Sequence, residues 1–191
     1  MTLDTLGLFP LHTVLLPGAA LSLRVFEARY LDLVRECSHH GRGFGVCVIL
    51  QGEEVGAPAT AAAYGTEAVI EDFGQTEQGL LTLRVRGARR FHVERARVRD
   101  NGLQVAQVRW CTPEVSEPVG PEHGLLPVLL EAMVEKIGGE HAQAPRACFD
   151  DASWVGWRLA ELLPLHDTQR QELLQLDDPH ARLDRLLALV S

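Results

Sequence analysis

Lysine is almost missing from this chain. Of 18 basic residues, Lys136 is the one lysine and all the others are arginine. Chemistry that needs a lysine is therefore confined to a single position. A phosphate-cradling G-x-x-x-x-G-K-[ST] loop is excluded, because Glu135 precedes Lys136. Long apolar runs are missing too. None approaches the roughly 20 residues that a membrane-crossing helix needs. The first four residues, MTLD, carry neither the basic region nor the apolar region of a signal peptide. The expectation is a cytoplasmic protein without a membrane part. No C-x-x-C pair occurs among Cys37, Cys47, Cys111 and Cys148, so these read as free and mostly buried thiols. No G-x-S-x-G nucleophile elbow is present. His39 and His40 are adjacent and point apart, while His12, His92, His123, His141, His166 and His180 lack any local ligand spacing. No metal or cofactor is expected, and a metal site would have to be assembled by folding alone.

What is present suits one domain, or one domain with a substantial appendage. The 191 residues are 46% hydrophobic, enough for a packed core. A net charge of −8 disfavours general attraction to nucleic acid or anionic membranes.

Residues 8–30, LFPLHTVLLPGAALSLRVFEARY, combine a short apolar run, a Pro17-Gly18 turn, an alternating strand at 21–25 and a helix entry at Phe26. Phe26, Tyr30, Leu33, Val34 and Cys37 then share one helical face, with Gly41 as the residue that ends it. On this reading Phe26 is buried, and Phe26→Ala should cost about 3–5 kcal/mol. Strands are expected at 44–50, 65–73 and 80–86, followed by a break at Gly87-Ala88, with a loop at 51–59. A slip in alternation after Phe91 and Val93 places a β-bulge at 94–96. Asp100-Asn101-Gly102 forms a hairpin turn into a strand at 103–110. Six or seven short strands with one early helix and no βαβ rhythm imply an α+β fold with a mixed sheet or small barrel. Pro113, Pro118 and Pro121 mark residues 112–121 as a linker, after which the pattern is helical.

The first helix after the linker carries a stripe of Leu125, Leu126, Leu129, Leu130, Met133, Val134 and Ile137. Asp151 caps the next, which holds Trp154, Val155, Leu159, Leu162 and Leu163. Thr168 with Gln171 fits a capping box, and Asp178-Pro179 starts a last helix carrying Leu183, Leu186, Leu187 and Val190.

These segments carry a family likeness. FPLHTVLLPG at 9–18, LSLRVFEARY at 21–30, FGVCVI at 44–49, YGTEAVI at 64–70 and LRVRGARRFHV at 83–93 resemble, in order and spacing, the N-terminal substrate-binding domain of Lon proteases. SWVGWRLAELLPL at 153–165 and RQELLQLDD at 170–178 resemble its helical portion. The resemblance implies a PUA-like mixed β pseudobarrel over 1–115 followed by an α-helical bundle over 116–191. It also implies a stand-alone, non-enzymatic recognition module related to the Lon-like domain of cereblon, without the ATPase and protease parts. Such a module would take unfolded or extended protein segments in an exposed apolar groove between the sheet and the helical part. The residues lining that groove are not separable from core residues by sequence, and oligomeric state stays open.

The rival class is RNA binding. Arg84, Arg86, Arg89, Arg90, Arg95, Arg97 and Arg99 crowd the hairpin 84–99, with Phe91, His92 and Tyr64 as stacking candidates. Cross-strand pairing of these arginines with Glu67, Glu71, Asp72, Glu94 or Asp100 is the weightier reading. Trp154 and Trp157 read as one buried and one bridging aromatic. Lys136, near a helix C-terminus, reads as a dipole partner rather than a catalyst, with Ser116 and Ser153 the nearby serines.

Overall fold

The computed structural model describes residues 2–191, and the chain divides into two compact units, Met1–Cys111 and Thr112–Ser191. In the first, strands β1 (Asp4–Gly7), β2 (Ala20–Val25), β3 (Phe44–Val46), β6 (Tyr64–Gln75), β7 (Leu81–Val98) and β8 (Gln104–Trp110) form one antiparallel sheet. A small pair, β4 (Ile49–Gln51) and β5 (Thr60–Ala61), lies apart from it. The order is β1-β8-β7-β6-β3, with β2 also on β7. Every strand pair in the sheet is antiparallel, where a mixed sheet was expected. Among the described residues, parallel contact enters through isolated bridges, as the chain leaving β1 runs beside β3. There Phe9 N–H donates to the Gly45 carbonyl at 2.7 Å and Leu11 N–H to the Cys47 carbonyl at 3.0 Å.

The spine is β7, and its length corrects the sequence reading. The expected break at Gly87-Ala88 is a bulge within one continuous strand: Thr66 pairs with Arg90 and Ala68 with Gly87, so Ala88 and Arg89 face Glu67 alone. The cause is the 8–30 stretch. Its Pro17-Gly18 turn crosses here, with Gly18 N–H on the Gly87 carbonyl and Gly87 N–H on the Ala19 carbonyl, both at 2.8 Å. A Cβ at Gly87 would lie 2.1 Å from the Leu16 carbonyl oxygen, so only glycine fits. The bulge expected at 94–96 is present, with Glu94 extra between Val93 and Arg95. The strand expected at 44–50 is two, β3 and β4, because Cys47 and Val48 turn the chain to pair with residues 11 and 62. Residues 60–61 pair as β5 at the end of the expected loop.

Helix α1 (Ala28–His40) buries Tyr30, Leu33, Val34 and Cys37 and ends at Gly41 in the left-handed region, φ 61°. Tyr30 stacks on Phe9 at 4.0 Å between ring centres. Arg29, Asp32 and Glu36 fasten the helix to the β7–β8 hairpin through Gly102, Asn101 and Arg99. Phe26 is the exception to the expected stripe. It precedes the helix, whose N-cap is Glu27, and is 53% exposed. Extended backbone at the cap takes Phe26 off the helical periodicity. Phe26→Ala is therefore expected to change stability by less than about 1 kcal/mol, leaving the thermal midpoint within about 4 °C of wild type. A larger drop in a melting curve would put the ring back in the core.

The second unit holds α2 (Leu125–Ile137), α3 (Ala152–Leu162), α4 (Asp167–Gln175) and α5 (Pro179–Val190). Helix α3 is its centre, buried from Val155 through Ala160. On α2 the buried face is narrower than the expected stripe. Leu126, Leu130 and Val134 are buried, while Leu125 and Ile137 are exposed. Residues 140–147 read as a loop from sequence, but Glu140–Gln143 and Arg146–Asp150 form two 3-10 turns. Asp151 and Asp178 cap as expected, accepting from Ser153 N–H and His180 N–H. The cap of α4 falls two residues earlier than expected. His166 N–H donates to Gln169 Oε1 at 2.8 Å, while Gln171 is drawn into the core. Residues 112–121 are also not a loose linker, since Val119 N–H bonds the Asp150 carbonyl and Ala152 N–H the Glu117 carbonyl.

Candidate functional site

The first unit contains a cleft of about 490 Å³ whose walls come from β1, the end of α1, β6, Arg89 and Trp110. One wall is a chain of polar contacts. Trp110 Nε1–H donates to Asp4 Oδ2 at 2.8 Å, and the Arg89 guanidinium lies 3.7 Å over the Trp110 ring. Arg89 Nε and Nη2 then donate to Glu67 at 2.9 and 3.2 Å. The Glu67 hydrogen bonds raise the Arg89 pKa still further, so its charge is permanent. A cation held between a carboxylate and an indole is a rigid platform.

The opposite wall is apolar and open. A bulge in β6 puts Glu71 between the pairs Ile70–Val85 and Asp72–Arg84. Without it, Phe73 would share a face with Glu71. With it, Ile70 and Phe73 both lie beside the buried pair Val85 and Leu83. Phe73 is nevertheless 52% exposed, and Val69, which pairs with Arg86 on the other side of the strand, is 42% exposed; both line the cleft. Sequence reasoning assigned no residue to this site. The missed signal was the Glu71 bulge, which moves Phe73 onto the face of Ile70.

The arginine cluster is largely committed to carboxylates. Arg84 and Arg86 both bind Glu71, whose carboxyl is held below the usual range chiefly by the Arg86 hydrogen bond. Arg89 takes Glu67, Arg99 takes Glu36, and Arg90 is buried. Glu94 pairs with Arg109, whose hydrogen bond lowers the Glu94 pKa, rather than with a hairpin arginine. Phe91 is fully buried, which removes it as a stacking surface for bases. Tyr64 and His92 meet edge to face at 4.8 Å.

The remaining candidates find structural roles. Burial pushes the Cys37 thiol up to about 11 and the Cys47 thiol up to about 12, so neither is a ready nucleophile. Lys136 is exposed near the end of α2, and the Ser153 hydroxyl donates to Glu114. Trp157 is buried beneath the Arg182 guanidinium, while Trp154 meets Phe149 edge to face at 4.9 Å. Among the described residues, no helix is long and apolar enough to cross a membrane.

Comparison with known proteins follows this geometry. No curated protein matches the chain. The fold is shared with the N-terminal domain of a Mycobacterium avium complex Lon protease at a TM-score of 0.68. That match has 19% identity and covers 97% of each chain. A Lon N-terminal domain protein from Xanthomonas campestris is 56% identical, with a TM-score of 0.84 over 97% of this chain and 98% of that one. The family model described as the ATP-dependent protease La (LON) substrate-binding domain matches residues 5–191, and the chain belongs to that family.

Proposed function

We propose that the protein is a non-enzymatic, cytoplasmic recognition module that binds unfolded or extended protein segments in the cleft of its first unit. The observation that carries this reading is the pairing of exposed Val69 and Phe73 with the fixed Asp4–Trp110–Arg89–Glu67 wall. Strand β1 ends the sheet order, so its outer edge beside Thr5 and Leu6 can accept an added strand. Main-chain pairing there would be sequence-tolerant, and the apolar wall would take a side chain of the segment. The family description, a substrate-binding domain, supports this kind of partner. The same reading takes residues 1–115 as a PUA-like pseudobarrel, supported by the Phe9 and Leu11 hydrogen bonds onto the β3 region. It takes 116–191 as an α-helical bundle around α3.

The test uses a permanently unfolded probe, reduced and carboxymethylated lactalbumin carrying a fluorophore, read by anisotropy. Phe73→Asp places a charge on an exposed wall without touching the core. It is expected to weaken binding at least tenfold, a loss of about 1.4 kcal/mol. Affinity for the wild type should survive moderate salt. Equal binding by Phe73→Asp and wild type would remove the cleft from the proposal. Binding of a short RNA that collapses steeply with salt would favour Arg95 and Arg97 instead.

A further inference from the structure

We infer that the second unit carries a zinc site formed by His123, His180 and Glu122. No local motif announces it, since the two histidines are far apart in sequence. Folding brings a ligand atom from each of the three side chains within 4.8 Å of the others. Glu122 and His123 lie in the 3-10 turn Pro121–His123 that leads into α2, and His180 lies in the first turn of α5. The two imidazole rings stack at 6.0 Å and 28°.

The decisive feature is His123 itself. Its side chain is 2% exposed, and its Nε2 meets Asp184 Oδ1 at 2.6 Å. A carboxylate only accepts, so Nε2 carries the hydrogen, and in the neutral ring the lone pair sits on Nδ1. That Nδ1 is buried and has no hydrogen-bond partner. Its nearest charged neighbour is Glu122 Oε1 at 3.8 Å, beyond hydrogen-bond reach. A buried acceptor without a donor is unfavourable where nothing compensates it. A cation in front of it removes that cost.

His180 repeats the arrangement, with its Nε2 on Glu117 Oε2 at 2.9 Å. Each imidazole is thus oriented by its own carboxylate, as metal-binding histidines are. Two ligand atoms about 2.1 Å from a tetrahedral ion lie about 3.4 Å apart. The Glu122–His123 separation of 3.8 Å therefore needs only a small movement, which exposed Glu122 can make. The three ligand atoms, all within 4.8 Å of one another, close by about 1.4 Å at most. Two nitrogens and one carboxylate suit zinc rather than magnesium or calcium, which take oxygen donors. Three protein ligands leave a fourth position for water.

Chelator-treated full-length protein is titrated with Zn²⁺ by calorimetry and with Co²⁺ by visible absorption. One equivalent of Zn²⁺ is expected to bind, and Co²⁺ should give the intense visible bands of a tetrahedral centre. His180→Gln and Glu122→Gln lie outside the buried core and should abolish both signals while circular dichroism stays unchanged. Asp184→Asn should weaken zinc about 10–100-fold. The absence of a saturable one-to-one event would overturn the site. So would zinc binding by His180→Gln or Glu122→Gln at wild-type affinity.

Discussion

Arg182→Ala is expected to destabilise the second unit by about 3–5 kcal/mol, the usual result of removing one partner from a buried ion pair. For a chain of this length that is a fall of roughly 6–20 °C in the unfolding midpoint. Arg182 is fully buried, and all three guanidinium nitrogens donate. Nη1 and Nη2 bind the two oxygens of Glu114 at 3.2 and 2.5 Å, Nη2 also reaches the Leu176 carbonyl at 2.6 Å, and Nε points to the Leu173 carbonyl at 3.5 Å. The guanidinium covers Trp157 at 3.5 Å. Glu114 itself is only 13% exposed and also accepts from Ser153. Truncation at 182 therefore leaves a carboxylate buried without its cation and takes the guanidinium donor from the Leu176 carbonyl, while the Leu173 carbonyl keeps the Leu176 N–H.

The penalty is one of imbalance, not of lost attraction, and this separates it from a cavity effect. Arg182→Met with Glu114→Leu removes both charges and should recover most of the stability lost in Arg182→Ala. Urea unfolding followed by tryptophan fluorescence reads the comparison through Trp157. An Arg182→Ala stability within about 0.5 kcal/mol of wild type would show that the pair carries no structural weight. A double variant as unstable as the single one would show that packing on Trp157, and not charge balance, is what matters.

Elements set by neighbouring residues were legible in the sequence. Gly41 ends α1 in the left-handed region, Gly102 sits at φ 86° in the hairpin turn, and Asp151 and Asp178 each accept from the second residue beyond. The bulge after Val93 was legible because it leaves two runs of opposite parity. What failed was set by distant partners. The cap of α4 moved to His166 because Gln171, the expected cap partner, is buried instead. Phe26 left the helical stripe because the chain is still extended at Glu27. The cleft was hidden by the Glu71 bulge, whose register depends on β7, and by Trp110 reaching back to Asp4. The His123–His180–Glu122 cluster and the Glu114–Arg182 pair likewise join residues that only the fold brings together.

Phe91→Ala is expected to cost about 3–5 kcal/mol in the first unit, and Gly45 supplies a way to tell why. Phe91 is fully buried in a cluster with Leu6, Leu8, Cys47, Ala106 and Val108, and Trp110 meets it edge to face at 6.0 Å. Its ring tip fills the space that two glycines leave open. A Cβ at Gly45 would lie 2.8 Å from Phe91 Cζ, and one at Gly65 would lie 2.7 Å from it. At Gly65 the Val46 carbonyl oxygen also stands 2.5 Å away, so backbone forbids a side chain whatever Phe91 does. At Gly45 the close neighbours are all side chains, Leu6, Leu8 and Phe91. Gly45→Ala alone should therefore cost about 1–3 kcal/mol by overpacking. Combined with Phe91→Leu, the added methyl enters space that the ring has vacated. The double variant should be more stable than the sum of the two single losses predicts, by more than about 0.5 kcal/mol. Chemical denaturation of the four proteins closes that cycle. Strict additivity would mean that Gly45 is required by the approach of Leu6 and Leu8, where the chain leaving β1 runs past β3, and not by the Phe91 ring.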